Sequence, residues 1–158
     1  MGQLRIGLGS CRPIPSANTD HFSHVHGRLQ IIIDEKVVPA LGYFGEGDVC
    51  LNAWLNVLGT VVRNFESGKD TEYTYDEGEQ GQPAFRFVLV KPNEVAFSIV
   101  ESAISGGGGS GSKKWRNKTF PLSDLKKEFQ KVAEQFLKEV ASKAPAQLPH
   151  WKKIIGNV

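Results

Sequence analysis

Two cysteines in 158 residues are too few for a disulfide framework, so the fold must rest on a hydrophobic core, which a chain of this length can build. Cys50 falls in an apolar helical run and Cys11 in a proline-rich loop, and both read as free thiols. No apolar run approaches the roughly 20 residues that cross a bilayer, which argues against a membrane span. The start, Met1-Gly2-Gln3-Leu4-Arg5, has no apolar signal core, and Ile6 stands where a myristoylation motif wants Ser or Thr. Together these absences lead us to expect a cytoplasmic protein. No G-x-S-x-G is present, so a nucleophile elbow is not expected. A phosphate loop is also missing. Gly106 and Gly111 have its outer spacing, but Ser112 occupies the lysine position and no helix start follows. No cofactor motif and no internal repeat occur, and catalytic residues are not expected.

What the chain does have is a charge split. Residues 1–112 carry 8 Lys+Arg against 13 Asp+Glu, a formal −5; residues 113–158 carry 11 against 4, a formal +7. The border is the run Gly106 to Ser112. The piece after it is too small to bury its own apolar stripe, so it must pack on the N-terminal part. The expectation is one domain over 1–158, with a flexible Gly/Ser loop at 106–112.

Residues 3–8 and 28–34 read as strands, and Asp34-Glu35-Lys36 as a turn into Val37-Val38. Asp48 is positioned to cap a helix running to about Asn64, with Leu51, Leu55, Leu58, Val62 and Phe65 in one stripe beside a second formed by Cys50, Trp54, Val57 and Val61. Strands are expected at 71–75, 85–89 and 95–99, the last two joined by a Pro92-Asn93 turn, and one more over 115–120. Ser123 should cap a long amphipathic helix ending near Lys143, and 149–155 a short amphipathic turn. Runs of strands, rather than strict alternation with helices, argue for α+β. The expected architecture is a mainly antiparallel sheet of about five or six strands, a buried central helix and a long C-terminal amphipathic helix packed on the sheet.

Three surfaces carry candidate chemistry. Acidic residues crowd one connection beside two tyrosines: Glu72, Tyr73, Tyr75, Asp76, Glu77 and Glu79 suit docking of a basic protein. The bland alternative is a hairpin kept soluble by its charges. His21, His24 and His26 could share a metal, or could be solvated loop histidines. Lys113, Lys114, Trp115, Arg116 and Lys118 could bind phosphates and stack a base, or could be a solvated face with Trp115 in the core. A net charge of only +2 disfavours nucleic acid.

The segments RLQIIID, LNAWLNVL, FRFVLV, VAFSIVES and FPLSDLKKEFQKVAEQFLKEV, in this order, give a layout that resembles small bacterial immunity-type proteins, which neutralise a cognate toxin by binding it. The resemblance implies a non-enzymatic protein-binding module whose partner is a toxin, and the acidic stretch suits a basic one; the alternative carried by His21, His24 and His26 is a metal-binding protein or metal-dependent enzyme. It carries no diagnostic motif, so no site residue transfers from it.

Overall fold

The computed structural model describes residues 1–11, 25–77, 81–104 and 109–156. The class is α+β, as the order of elements implied. Among the described residues, eight strands, all antiparallel, form two four-stranded sheets, with three α-helices. In the first sheet, β1 (Leu4–Cys11) pairs with β2 (His26–Ile33) from Leu4↔Ile33 to Cys11↔Gly27. The other edge of β2 carries two short strands, β3 (Lys36–Val37) against Ile32–Ile33 and β4 (Val49–Cys50) against His26–Gly27. Asp34 and Glu35 both have positive φ (51° and 64°), the geometry that lets a two-residue hairpin follow the strand twist. In the second sheet, β5 (Glu72–Tyr75), β6 (Ala84–Lys91), β7 (Glu94–Val100) and β8 (Lys118–Pro121) lie in sequence order. A backbone bond from Gly2 N–H to the Thr119 carbonyl (2.8 Å) links the start of β1 to β8 and so joins the sheets. The expected strand over 115–120 is shorter: 113–115 is a 3-10 turn, because Trp115 turns into the core.

The helix α1 (Leu51–Ser67) buries Leu51, Trp54, Leu55, Leu58, Val62 and Phe65 along with flanking residues, and ends at Gly68 in the left-handed region (φ 72°). Two faces are covered, as its double stripe requires. At Gly59 an added Cβ would lie 2.9 Å from the Phe129 ring and 3.0 Å from the Ile155 carbonyl, so the close approach of the three helices needs glycine there. Asp48 does not cap α1. Pairing of Val49–Cys50 with β2 moves the helix start to Leu51, and Cys50 becomes an N-cap whose side chain makes no capping hydrogen bond.

The helix α2 (Leu122–Lys143) has a related surprise. Ser123 is not its cap; the N-cap is Pro121, which has no donor or acceptor side chain. The orphan amide of Ser123 instead donates to the Asn93 carboxamide oxygen (2.9 Å), presented by the β6–β7 turn. Replacing Asn93 with Ala should therefore cost about 1 kcal/mol in urea unfolding, the usual worth of a lost N-cap. Beyond α2, the short helix α3 (Leu148–Ile155) receives the Arg63 guanidinium on its terminal Ile155 carbonyl (3.1 Å). One apolar cluster runs through both sheets and all three helices, joining residues from before and after the glycine run.

Of that run, residues 106–108 lie outside the described residues. Gly109 is buried against β7's exit: its carbonyl accepts from Ser102 N–H (2.8 Å), and a Cβ would sit 1.9 Å from the Gln82 carbonyl oxygen. Ser112 N–H donates to the Ile99 carbonyl (3.1 Å). The second half of the run is thus a docked segment that only glycine can begin.

Candidate functional site

The loop between β3 and β4 leaves the open edge of β2 and returns to it, and its middle carries Tyr43 and Phe44. Both rings are exposed, Phe44 by 81%, and they meet edge-on with centroids 4.5 Å apart. The base of the loop is fixed from below. Trp54 Nε1 donates to the Leu41 carbonyl (3.1 Å). The buried Gln82 amide, oriented so that both its groups are satisfied, donates to the Ala40 carbonyl (2.9 Å) and accepts from Tyr43 N–H (3.2 Å). Ala40 sits at φ 66°, a left-handed conformation that costs an alanine about 1–2 kcal/mol. Two tertiary anchors hold that strain in place, so the exposed ring pair stands on a rigid base.

Beneath the ring pair lies a recess of about 340 Å³, lined by His26 and Asp48, by Cys50 and Ala53 at the start of α1, and by Tyr75 and Glu77 after β5. Leu41, Tyr43 and Phe44 close it from the loop side. His26 Nδ1 is 3.2 Å from Asp48 Oδ1, so the carboxylate fixes the ring orientation. Tyr75 packs edge-on against Trp54 (5.0 Å) and donates its hydroxyl to Glu77 Oε1. Burial, and then that bond to a carboxylate, pushes the Tyr75 hydroxyl far above the ordinary phenol range, so it remains a donor at any physiological pH.

The acidic cluster expected from the sequence is dispersed by this geometry. Glu72 is exposed but paired with Arg86 across the β5–β6 ladder (2.7 and 3.1 Å), which holds its carboxyl below the usual range. Asp76 is spent on structure: its two oxygens accept from the Ser102 hydroxyl (2.7 Å) and from Ala103 N–H (2.9 Å). Tyr73 is half-buried against the core. Glu79 lies outside the described residues. Of its described members only Tyr75 and Glu77 reach the recess, where they join His26, Tyr43, Phe44 and Asp48, which no sequence pattern brings together. The signal present was an aromatic pair set among Gly42, Gly45 and Gly47, in a stretch with neither helical nor strand periodicity.

The other two surfaces are weaker. His21 and His24 lie outside the described residues; His26 engages Asp48, and among the described residues no group of three or more His, Cys, Asp or Glu could hold a metal ion. Lys113, Lys114 and Arg116 are exposed and Lys118 partly so, but Trp115 is only 5% exposed. The ring that would stack a base belongs to the core.

The thiols sit apart. Cys11 is opposite Gly27 and Cys50 opposite His26, so they flank β2 on different edges and point to different faces of the sheet. They cannot bridge without rearrangement. Burial, with help from Glu139 and against Lys143, pushes the Cys11 thiol up, which makes it a poor nucleophile. Among the described residues no helix is long and apolar enough to cross a membrane. No protein-family model matches the chain, and no curated protein or solved structure is significantly similar to it.

Proposed function

We propose that this chain is a non-enzymatic protein-binding module that captures a basic partner, in the manner of an immunity protein toward a toxin. The observation that carries the reading is the exposed Tyr43–Phe44 pair, held on a strained and doubly anchored loop beside carboxylates. A ring as exposed as Phe44 gains little for the fold by burial, whereas aromatic anchors at the centre of a contact dominate binding energy. The rim carries Glu46, Asp48 and Glu77, which would steer a basic partner into place. This moves the contact surface away from Glu72 and Asp76, whose charges serve internal contacts, and keeps Tyr75 and Glu77.

The test is retention of a partner by the tagged chain in lysate of the source organism. The wild type should retain one basic protein in stoichiometric amount. Phe44→Ala should lower the affinity about 30-fold or more, the hot-spot range of 2 kcal/mol upward, with an unchanged melting temperature. Glu77→Lys should weaken binding and reduce its salt dependence. Equal retention by both variants would displace the surface; no retained protein would remove the function class.

A further inference from the structure

We infer that a second site, at the seam between the two sheets, binds a phosphate group, free or as a monoester, through Lys36, Lys114 and Lys118. The seam is built by the Gly2 N–H bond to the Thr119 carbonyl and by the pairing of Leu4 with Ile33. These two links bring the β2–β3 hairpin, with Asp34 and Lys36, against the 113–115 turn and the start of β8. A cavity of about 50 Å³ lies between them. Lys114 and Lys118 belong to one basic stretch of sequence, but Lys36 reaches the cavity only through the fold. The site lies at the opposite end of β2 from His26, and so apart from the Tyr43–Phe44 surface.

Charge and size select the ligand. Ile33 and Trp115, both buried, wall the cavity, and apolar walls raise the potential of the ammonium groups around it. Among the described residues none of the three lysines forms an ion pair. The one carboxylate in the described lining is turned to the backbone. Asp34 Oδ1 accepts from Gln3 N–H (3.0 Å), and both its oxygens lie so close over Gly2 that an added Cβ would be 2.6 Å from each. Three ammoniums against one carboxylate leave a formal +2, which a phosphate dianion neutralises and a nucleic-acid diester, with one charge, does not. The cavity takes a single tetrahedral oxyanion but no base, and the Trp115 ring, 5% exposed, cannot stack one. Each ammonium offers three rotatable donors on a flexible stem, so the lysines can close on the oxygens of one phosphate.

The full-length chain should be titrated at matched ionic strength with inorganic phosphate, with glycerol phosphate and with chloride, followed by two-dimensional amide NMR. Saturable shifts are expected from phosphate at Lys36, Lys114 and Lys118, with none at Phe44 or Val90 and none from chloride. Tighter binding of the ester would place the phosphate on a small molecule; binding of the free ion alone would make the ion itself the ligand. Lys36→Gln and Lys114→Gln should each weaken binding roughly tenfold, the loss of one charge-assisted contact. Lys69→Gln, at an exposed lysine outside the cavity, should leave it unchanged. Lys36 and Lys114 are exposed, so their variants should keep the wild-type spectrum elsewhere. Asp34→Asn keeps an acceptor for Gln3 N–H and suits the left-handed backbone (φ 51°), so it should tighten binding by removing the opposing charge. A merely structural role for Asp34 would give no such gain. No saturable shift, equal shifts from chloride, or affinity indifferent to both lysine variants would overturn the inference. Stronger binding of an oligonucleotide without terminal phosphates, through the same lysines, would overturn the monoester in favour of a diester backbone.

Discussion

Truncating Trp54 to alanine should remove about 3–5 kcal/mol of stability, the range for emptying a buried indole site. Trp54 is fully buried and meets Tyr75 and Phe85 edge-on at 5.0 and 4.9 Å. Its loss leaves a cavity between α1 and the second sheet and removes the donor to the Leu41 carbonyl. Trp54→Phe separates the two effects. It keeps much of the apolar volume but deletes the Nε1 donor, and should cost about 1–3 kcal/mol for the orphaned carbonyl. That variant should also loosen the Tyr43–Phe44 platform, so amide exchange over residues 40–44 should rise more than elsewhere. Equilibrium urea unfolding checks the first part and hydrogen exchange the second. A loss under 1 kcal/mol for Trp54→Ala would mean that the site collapses freely and that Trp54 does not fasten the loop.

The second large effect concerns Glu128, a buried carboxylate on α2. The open edge of β1 faces this helix. Ile6 N–H donates to Glu128 Oε2 (2.8 Å), and Gln135, two turns on, donates its Nε2 to the Leu8 carbonyl (3.2 Å). Side chains of a helix thus stand in for a neighbouring strand, one of the ways a sheet edge is kept from pairing with another molecule. Burial pushes the Glu128 carboxyl up, but the Ile6 amide and the Lys131 ammonium together outweigh it, and the net direction is down. A folded-state value below the unfolded 4.5 means that this carboxylate stabilises the fold above about pH 4.5 and that its contribution disappears as pH falls through the folded value.

Glu128→Leu removes the acceptor and strands the Ile6 amide. A loss of about 2 kcal/mol is expected at pH 7, within the range for one unsatisfied buried donor. As pH falls below 4.5 the gap to wild type should narrow progressively, because the wild type loses this share as its lowered carboxyl takes up a proton. The variant should also self-associate in size-exclusion chromatography as the β1 edge opens. A difference that is independent of pH would show that Glu128 acts by packing alone.

How far the sequence could be read depended on the range of the interactions. The two long helices were legible because their stripes repeat over several turns: Leu51, Leu55, Leu58, Val62 and Phe65 announce α1 without reference to anything else. The β6–β7 hairpin was legible from Pro92-Asn93 between alternating runs. The short strands β3 and β4 were not, since two residues carry no period and exist only because β2 offers an edge. Both expected caps failed for the same reason. Asp48 was displaced by the pairing of the next two residues with β2, and the work given to Ser123 is done by Asn93 from a turn 30 positions earlier.

The candidate site divides likewise. Composition alone picked out the acidic stretch at 72–79, but the fates of Glu72 and Asp76 depend on Arg86 and Ser102, distant in sequence. The Tyr43–Phe44 pair lies in a stretch without periodicity, and its rigidity comes from Trp54 and Gln82, which sequence spacing does not connect to it.

The most direct measurement of the central claim is site-specific photo-crosslinking in lysate of the source organism. A photoreactive phenylalanine would replace Phe44 in one preparation and Val90, exposed on β6, in another. The account expects one discrete adduct with a basic protein from position 44 and none from position 90. Adducts at both positions alike, or at position 90 only, would contradict it.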